Sequence, residues 1–353
     1  AGTIKICLWS NGNLHIVSRE APPDTTTLNA SLYALVLGPT AEEQSAGIES
    51  AIPTGTMIYD IQPDATSVRI DFSSDIVSED FNEARLSAVY DQVRYTLRAN
   101  DIEKEVIMTA RGEMLYKYLP PTPVIVPRVE LEPFKLPIGG TALSGRRITV
   151  SPGHGKVWTG TAYGFQRGIT CASTGLARED DHDLEICQYL EKYLLADGAT
   201  VKMARCTNKD YGTHAASGEP WWRVCAVNWL EHQRYPCTVW GSTSGCVVGS
   251  GASELTDDIR ARPLSSDYDA TDIYFSLHTN ALSGDCTGTG CPTGSDIFYD
   301  CSTEHAAWCA VSRTLEEAVY PAMLDAIRSK LPDPTWNNHG VHEDTAGNYG
   351  EIR

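Results

Sequence analysis

The sequence lacks any run of about 18 consecutive apolar residues, the length a helix needs to span a bilayer, so no membrane-crossing helix is expected. Basic residues are scarce: 28 Lys and Arg stand against 46 Asp and Glu, a formal net charge of −18. The deficit is spread evenly, with eight basic and 17 acidic residues up to Leu115 and 20 and 29 beyond it. That excludes the basic footprint of a nucleic-acid binder and disfavours attraction to anionic lipid. Internal repeats and low-complexity tracts are absent. Among the 11 cysteines no two are spaced as CxxC, so zinc knuckles are not expected. What remains is ordinary globular composition, 42% hydrophobic and 21% charged, in a chain of 353 residues. That length suggests two domains or three.

Cys7 stands alone near the start, and the other ten cysteines fall between Cys171 and Cys309. An even number in one region points to disulfides formed in an oxidising compartment; buried thiols are the alternative. The first residue is Ala1 rather than Met, which removal of an export signal would explain, as would trimming. An extracellular or cell-envelope location is the resulting expectation.

Residues 1–115 read as a small α/β unit. Asn11-Gly12 lies between two apolar stretches and predicts a β-hairpin. Leu28 to Leu37 predicts a helix stopped at Gly38-Pro39, and Thr40-Ala41-Glu42-Glu43 has the form of a capping box. Val68, Ile70 and Phe72 alternate with polar residues as a half-buried strand does. Leu86, Val89, Val93 and Leu97 have helical spacing, and a strand is expected at Val106 to Met108. Residues 116–146 hold six prolines and then Gly139-Gly140, the composition of a semi-rigid linker.

A second unit is expected over 147–353. Strands are predicted at Arg147 to Ser151, Thr200 to Ala204, Thr271 to Leu277 and Asp296 to Tyr299. Helices are predicted from about Glu179 to Ala196 and from about Thr303 to Ser329. Ser302 is a candidate N-cap for the second helix, and Pro321 is expected to kink or split it. Strands alternating with helices give an α/β fold with a mostly parallel sheet.

His154 follows the first strand of this unit and His278 a later one. In an open α/β sheet, ligands gather at the carboxyl ends of strands, so both imidazoles can face one crevice. Glu179 opens the helix after the first strand. Two His and one Glu form a catalytic zinc set that leaves a position for water. Each residue also has a plainer reading: polar rim residues for the histidines, and a helix-dipole partner for Glu179.

Ile148-Thr149-Val150-Ser151-Pro152-Gly153-His154-Gly155 resembles the opening strand of the zinc-dependent N-acetylmuramoyl-L-alanine amidases of the third amidase family. Glu179-Asp180-Asp181-His182-Asp183-Leu184 resembles the Glu-led start of that family's first helix, and Asp197 to Arg205 its Gly-Ala-x-Val strand. Arg223 and Asn228 match its Arg-to-Asn helix. Asp272 to Ala281 resembles its Ser-x-His-x-Asn strand, and Gly294 to Tyr299 the strand that follows. The resemblance implies His154, Glu179 and His278 as ligands of one Zn2+ and Asn280 as a substrate-binding residue. It also implies peptidoglycan as substrate, cut at the amide between N-acetylmuramic acid and L-alanine.

Tyr349-Gly350-Glu351-Ile352-Arg353 matches the segment before the family's last strand, which carries the general base. The base is therefore expected beyond Arg353, with Glu343 and Glu351 as substitutes. The stretches 155–178 and 229–269 are longer than the family needs and are expected to rim the cleft. Trp221-Trp222 and Trp240 are weaker candidates for a sugar platform, and His339 and His342 for extra ligands or proton carriers; local packing accounts for each as well.

The first unit has a likeness of its own. Ile4 to Ser10, Leu32 to Ala46, Ala51 to Thr56 and Val68 to Phe72 resemble the GerM-type sporulation and germination domain, over 1–113. That implies a module for assembly or binding, in a homo-oligomer or with another envelope protein. The competing class is a non-catalytic structural or peptidoglycan-binding protein built on an amidase-like body.

Overall fold

The computed structural model describes residues 2–78, 80–122, 137–167, 178–249, 252–279, 282–283, 294–302, 305–330, 336–345 and 347–352. The chain divides into two compact units, 1–120 together with 282–353, and 121–281. The fold is mixed α/β.

In the first unit, strands β1 (Thr3–Ser10) and β2 (Asn13–Glu20) form the expected hairpin. Its two loop residues, Asn11 and Gly12, both have positive φ, 49° and 76°, as the tight hairpin turn requires. Helix α1 (Thr27–Leu37) is capped by Thr26, whose side chain accepts from the Asn29 amide, and ends at Gly38 with φ 75°. Helix α2 (Ala41–Ser45) carries the complete capping box: Glu43 N donates to Thr40 Oγ1 at 3.2 Å and Thr40 N to Glu43 Oε2 at 2.8 Å. After the short β3 (Ile48–Glu49), β4 (Ile58–Pro63) pairs with β5 (Ser67–Phe72), whose Val68, Ile70 and Phe72 are buried as their alternation predicts. Helix α3 (Glu83–Ala99) then leads to β6 (Glu105–Ala110), parallel to β5 and flanked by β7 (Glu113–Met114). Leu86, Val89, Val93 and Leu97 of α3 lie in the core of this unit.

The second unit is centred on β8 (Arg147–Pro152), which leads into the small hairpin β9 (Lys156–Trp158) and β10 (Tyr163–Phe165). Helix α4 (Glu179–Ala196) packs against β8 and against β11 (Thr200–Met203). Helices α5 (Ala226–His232), α6 (Cys237–Trp240) and α7 (Ala252–Asp269) precede β12 (Ile273–Leu277). The sheet order is β11-β8-β12, all parallel, with Ile148, Val150, Cys187, Val201 and Met203 in its core.

The stretch 229–269 is not a rim. Leu230, Tyr235, Val239, Trp240, Ala261 and Leu264 build a second core with Val157 and Cys225. Helix α7 escapes an apolar-pattern search because its buried face is polar. Asp257 accepts from the Thr243 and Ser244 amides at 2.7 and 3.0 Å, and Glu254 accepts from the Trp158 and Gly249 amides at 2.9 and 2.6 Å.

The chain then returns to the first unit. Leu282–Ser283 (β13) pairs in parallel with β2, and β14 (Ser295–Asp300) pairs in parallel with β15 (Asn338–Asp344). The boundary drawn from sequence at Arg147 runs to the end of the chain, whereas here 282–353 packs with 1–120. Arg94 and Arg98 of α3 bond Asp296 at 2.5 and 2.8 Å, and Tyr349 OH donates to Asp91 at 2.9 Å. Phe298 and Tyr349 pack on the first core. Helix α8 (Cys309–Lys330) begins later than Ser302 and runs through Pro321 as one helix. Pro321 removes a single N–H from the helical ladder, and the helix continues on both sides of it.

Two disulfides are present among the described residues, Cys237–Cys246 and Cys301–Cys309, with Cα separations of 5.3 and 4.8 Å. Cys187 and Cys225 are buried thiols instead, the alternative to pairing that their sequence left open. Burial pushes both thiols well above their ordinary range. Cys171, Cys286 and Cys291 lie outside the described residues, as do residues 123–136 of the proline-rich linker. No helix among the described residues is long and apolar enough to cross a membrane.

Candidate metal centre

The loop after β8 is held by its backbone. Gly153 N donates to Leu277 O of β12 at 2.9 Å, and Gly155 N donates to Asp180 Oδ1 at 2.8 Å. Two buried arginines take its carbonyls: Arg205 donates to Gly153 O at 2.5 Å, and Arg262 to His154 O at 2.6 Å and to Pro152 O. This clamp holds His154 at φ 55°, a left-handed conformation that a histidine adopts only when its surroundings enforce it. Gly153 can be nothing larger, since a Cβ there would meet the Asp183 carboxylate and lie 2.7 Å from the His278 ring.

His278 follows β12, the parallel neighbour of β8, so both histidines emerge at one edge of the sheet. Glu179 sits in the first turn of α4 and Asp183 one turn later, on the same face of the helix. His154 Nε2 lies 2.9 Å from Glu179 Oε1 and 3.1 Å from His278 Nδ1, and His278 Nδ1 lies 3.4 Å from Glu179 Oε1. One donor atom from each of His154, Glu179, Asp183 and His278 lies within 4.8 Å of all the others. The three residues singled out from sequence thus meet, and the structure adds Asp183. Its position four residues after Glu179 was the available signal, but in a run of four acidic residues within 179–183 it did not stand out.

The hydrogen bonds around the cluster turn its donor atoms toward one another. His154 Nδ1 faces Gln166 Oε1 at 3.1 Å, and Nε2 accepts from Arg167 Nε at 3.2 Å. With Gln166 at Nδ1, the ring turns Nε2 inward toward Glu179 and His278, the orientation that a hydrogen-bonded second nitrogen imposes on metal-binding histidines. Gln166 is itself fixed by Asp258 Oδ2 at 2.8 Å. Burial alone would raise the Glu179 carboxyl, but His154, a hydrogen bond from His278 and Arg167 hold it well below the usual range. Asp183 is pushed well above that range by burial and by the Glu179 charge. Asp183 Oδ1 accepts from Thr279 Oγ1 at 2.9 Å, while the buried Oδ2 has no hydrogen-bond partner among the described residues. An orphaned carboxylate oxygen beside two imidazoles and a second carboxylate is a donor set that fits Zn2+.

The remaining candidates fall elsewhere. Asn280 lies outside the described residues. Glu343 is on β15, where its carboxylate accepts from Tyr299 OH at 3.4 Å, and Glu351 is half-buried near the end of the chain. Both belong to the first unit, the His154 cluster to the second. His342 is stacked on Phe298, and burial brings it down to about 4. Trp240 is buried in the second core, and Trp221 packs among Tyr211, His214, Trp229 and His232. Cys301, Cys309 and Glu343 also come together, but the two sulfurs are bridged and hold no thiolate for a metal.

No curated protein matches this chain. Among solved structures it is similar to the tandem GerMN domains of the sporulation protein GerM from Bacillus subtilis, with 14% identity over 32% of this chain and a TM-score of 0.25. The chain spans 40% of that structure. It is similar also to the first GerMN domain of the same protein, with 18% identity over 32% of this chain and 85% of that one, at a TM-score of 0.25. The model of the Germane family, described as sporulation and spore germination, matches residues 10–116. The first unit of this chain thus contains a GerM-type germination domain.

Proposed function

We propose that the second unit holds one Zn2+ through His154, Glu179 and His278. On this reading the protein is an exported envelope amidase that cuts the bond between N-acetylmuramic acid and L-alanine in peptidoglycan. The observation that carries this reading is the convergence of His154, Glu179 and His278 at the carboxyl edge of β8 and β12, where open parallel sheets gather their ligands. The choice of bond rests on the likeness of Ile148 to Gly155 and Asp272 to Ala281 to the amidase segments. Two disulfides support export.

A Zn2+ bound there would supply Lewis acidity to the amide carbonyl and to the attacking water. The chain does the rest. Gln166 holds the His154 ring with Nε2 turned inward, and Arg167, 3.3 Å from Glu179 Oε2, adds positive charge beside that carboxylate. A carboxylate must take a proton from water and return it to the leaving amine. The GerM-type domain has no catalytic cluster of its own in this reading, and serves contacts in a homo-oligomer or with another envelope protein.

The test is release of free stem peptide from purified peptidoglycan with Zn2+ supplied. Release abolished by chelation and by His154→Ala or His278→Ala supports the reading. Zinc-loaded protein that releases nothing, or turnover that survives both changes, overturns it. Turnover retained in a Glu343→Gln, Glu351→Gln double variant places the base elsewhere.

A further inference from the structure

We infer that Asp183 is a fourth protein donor to the same ion, so that the resting site is closed by two imidazoles and two carboxylates. This rests on the metal reading above and goes beyond its three ligands. Asp183 is fully buried, so its carboxylate has no water to turn to. Thr279 Oγ1 binds Oδ1 at 2.9 Å and so fixes the rotation of the group. Oδ2 is then left unpartnered and lies beside the Gly153 and His278 end of the cluster. The missing side chain of Gly153 leaves the space in which that oxygen sits. A buried carboxylate oxygen with no donor is costly, and a cation shared with His154, Glu179 and His278 removes that cost.

Zinc sites with four protein donors are closed, whereas catalytic ones keep a position for water. Asp183, with a donor atom within 4.8 Å of those of the other three, would supply the fourth. Substrate or water would then reach the ion by displacing the Asp183 carboxylate or by adding a fifth ligand.

Cobalt substitution separates the possibilities, since Co2+ reports its coordination by visible absorption. The wild-type chain should bind one Co2+ with a spectrum that does not change between about pH 6 and 9, because no water sits on the ion to lose a proton. Asp183→Asn should lower Zn2+ affinity, measured by competition with a chromophoric chelator, by more than the ~10–100-fold that an orienting neighbour costs. Its Co2+ spectrum should become pH-dependent as water takes the vacated place. A wild-type spectrum that titrates near neutral pH overturns the inference and leaves the three-ligand reading standing. An Asp183→Asn variant with unchanged affinity and spectrum does the same. A wild-type chain that binds neither metal overturns both. The wild-type spectrum decides even if the variant does not fold.

Discussion

A single hydrogen atom in place of a methyl group sets the geometry of the cluster of His154, Glu179, Asp183 and His278. Gly153 lets the β8 loop pass against the His278 ring and the Asp183 carboxylate, where a Cβ would lie 2.7 Å from the ring. Gly153→Ala should therefore cost about 1–3 kcal/mol, the range for overpacking a closed interior, and should reduce bound Zn2+ in parallel. Urea midpoints with and without chelator measure the two effects separately. Equal midpoints for variant and wild type would show that the loop yields. Two buried thiols bear on the same scale. Cys187 and Cys225 should fail to react with a thiol reagent in the native protein and react fully once it is denatured without reductant. The sequence alone could not separate them from the bridged cysteines, since spacing says nothing about which side of a helix or strand a sulfur faces.

Helices α3 and α7 show polar side chains used as core. In α7, Asp258 accepts from the Ala226 amide at 2.7 Å, from Gln166 at 2.8 Å and from Arg262 at 2.8 Å. It joins the start of α5, the His154 ring and the arginine that clamps the metal loop. Asp258→Asn should lower Zn2+ affinity about 10–100-fold with no ligand touched, as equilibrium dialysis would reveal. In α3, burial alone would raise the Asp296 carboxyl, but Arg94 and Arg98 outweigh it and hold the group below its ordinary range. A depressed folded pKa contributes stability that is present above the unfolded value and lost as pH falls through the folded one. The first unit should accordingly weaken below about pH 4, and Asp296→Asn should flatten that part of the pH profile. Arg94→Ala should cost about 3 kcal/mol, the lower end for breaking a buried pair, because Arg98 still faces Asp296. Circular dichroism melts between pH 3 and 7 would show both effects, and an unchanged acid limb in Asp296→Asn would refute this account.

For the whole molecule, the first unit is discontinuous: residues 282–353 complete what 1–120 begins. A chain ended at Ala281 leaves Arg94 and Arg98 without Asp296, and the first core without Phe298 and Tyr349. Its first unit should unfold with a loss of at least about 3–5 kcal/mol relative to the full chain, by denaturant titration followed on that unit's own tyrosines. Equal stability would mean that the GerM-type domain is self-sufficient and that the closing segment only rests on it.

Local signals determined much of this protein. The Asn11-Gly12 turn, the Thr40–Glu43 capping box, the Val68–Phe72 alternation and the Leu86–Leu97 stripe each depend on contacts within a few residues, and each forms as its spacing predicts. The bringing together of His154, Glu179 and His278 was also legible, because strand ends in a parallel sheet share an edge. Tertiary structure alone decided the rest. The pairing of Asp296 with Arg94 and Arg98 spans some two hundred residues, and no periodicity encodes it. The buried polar face of α7 reads as a solvated surface until its partners are known. Asp183 stands out only in the fold, where its buried Oδ2 has no hydrogen-bond partner among the described residues.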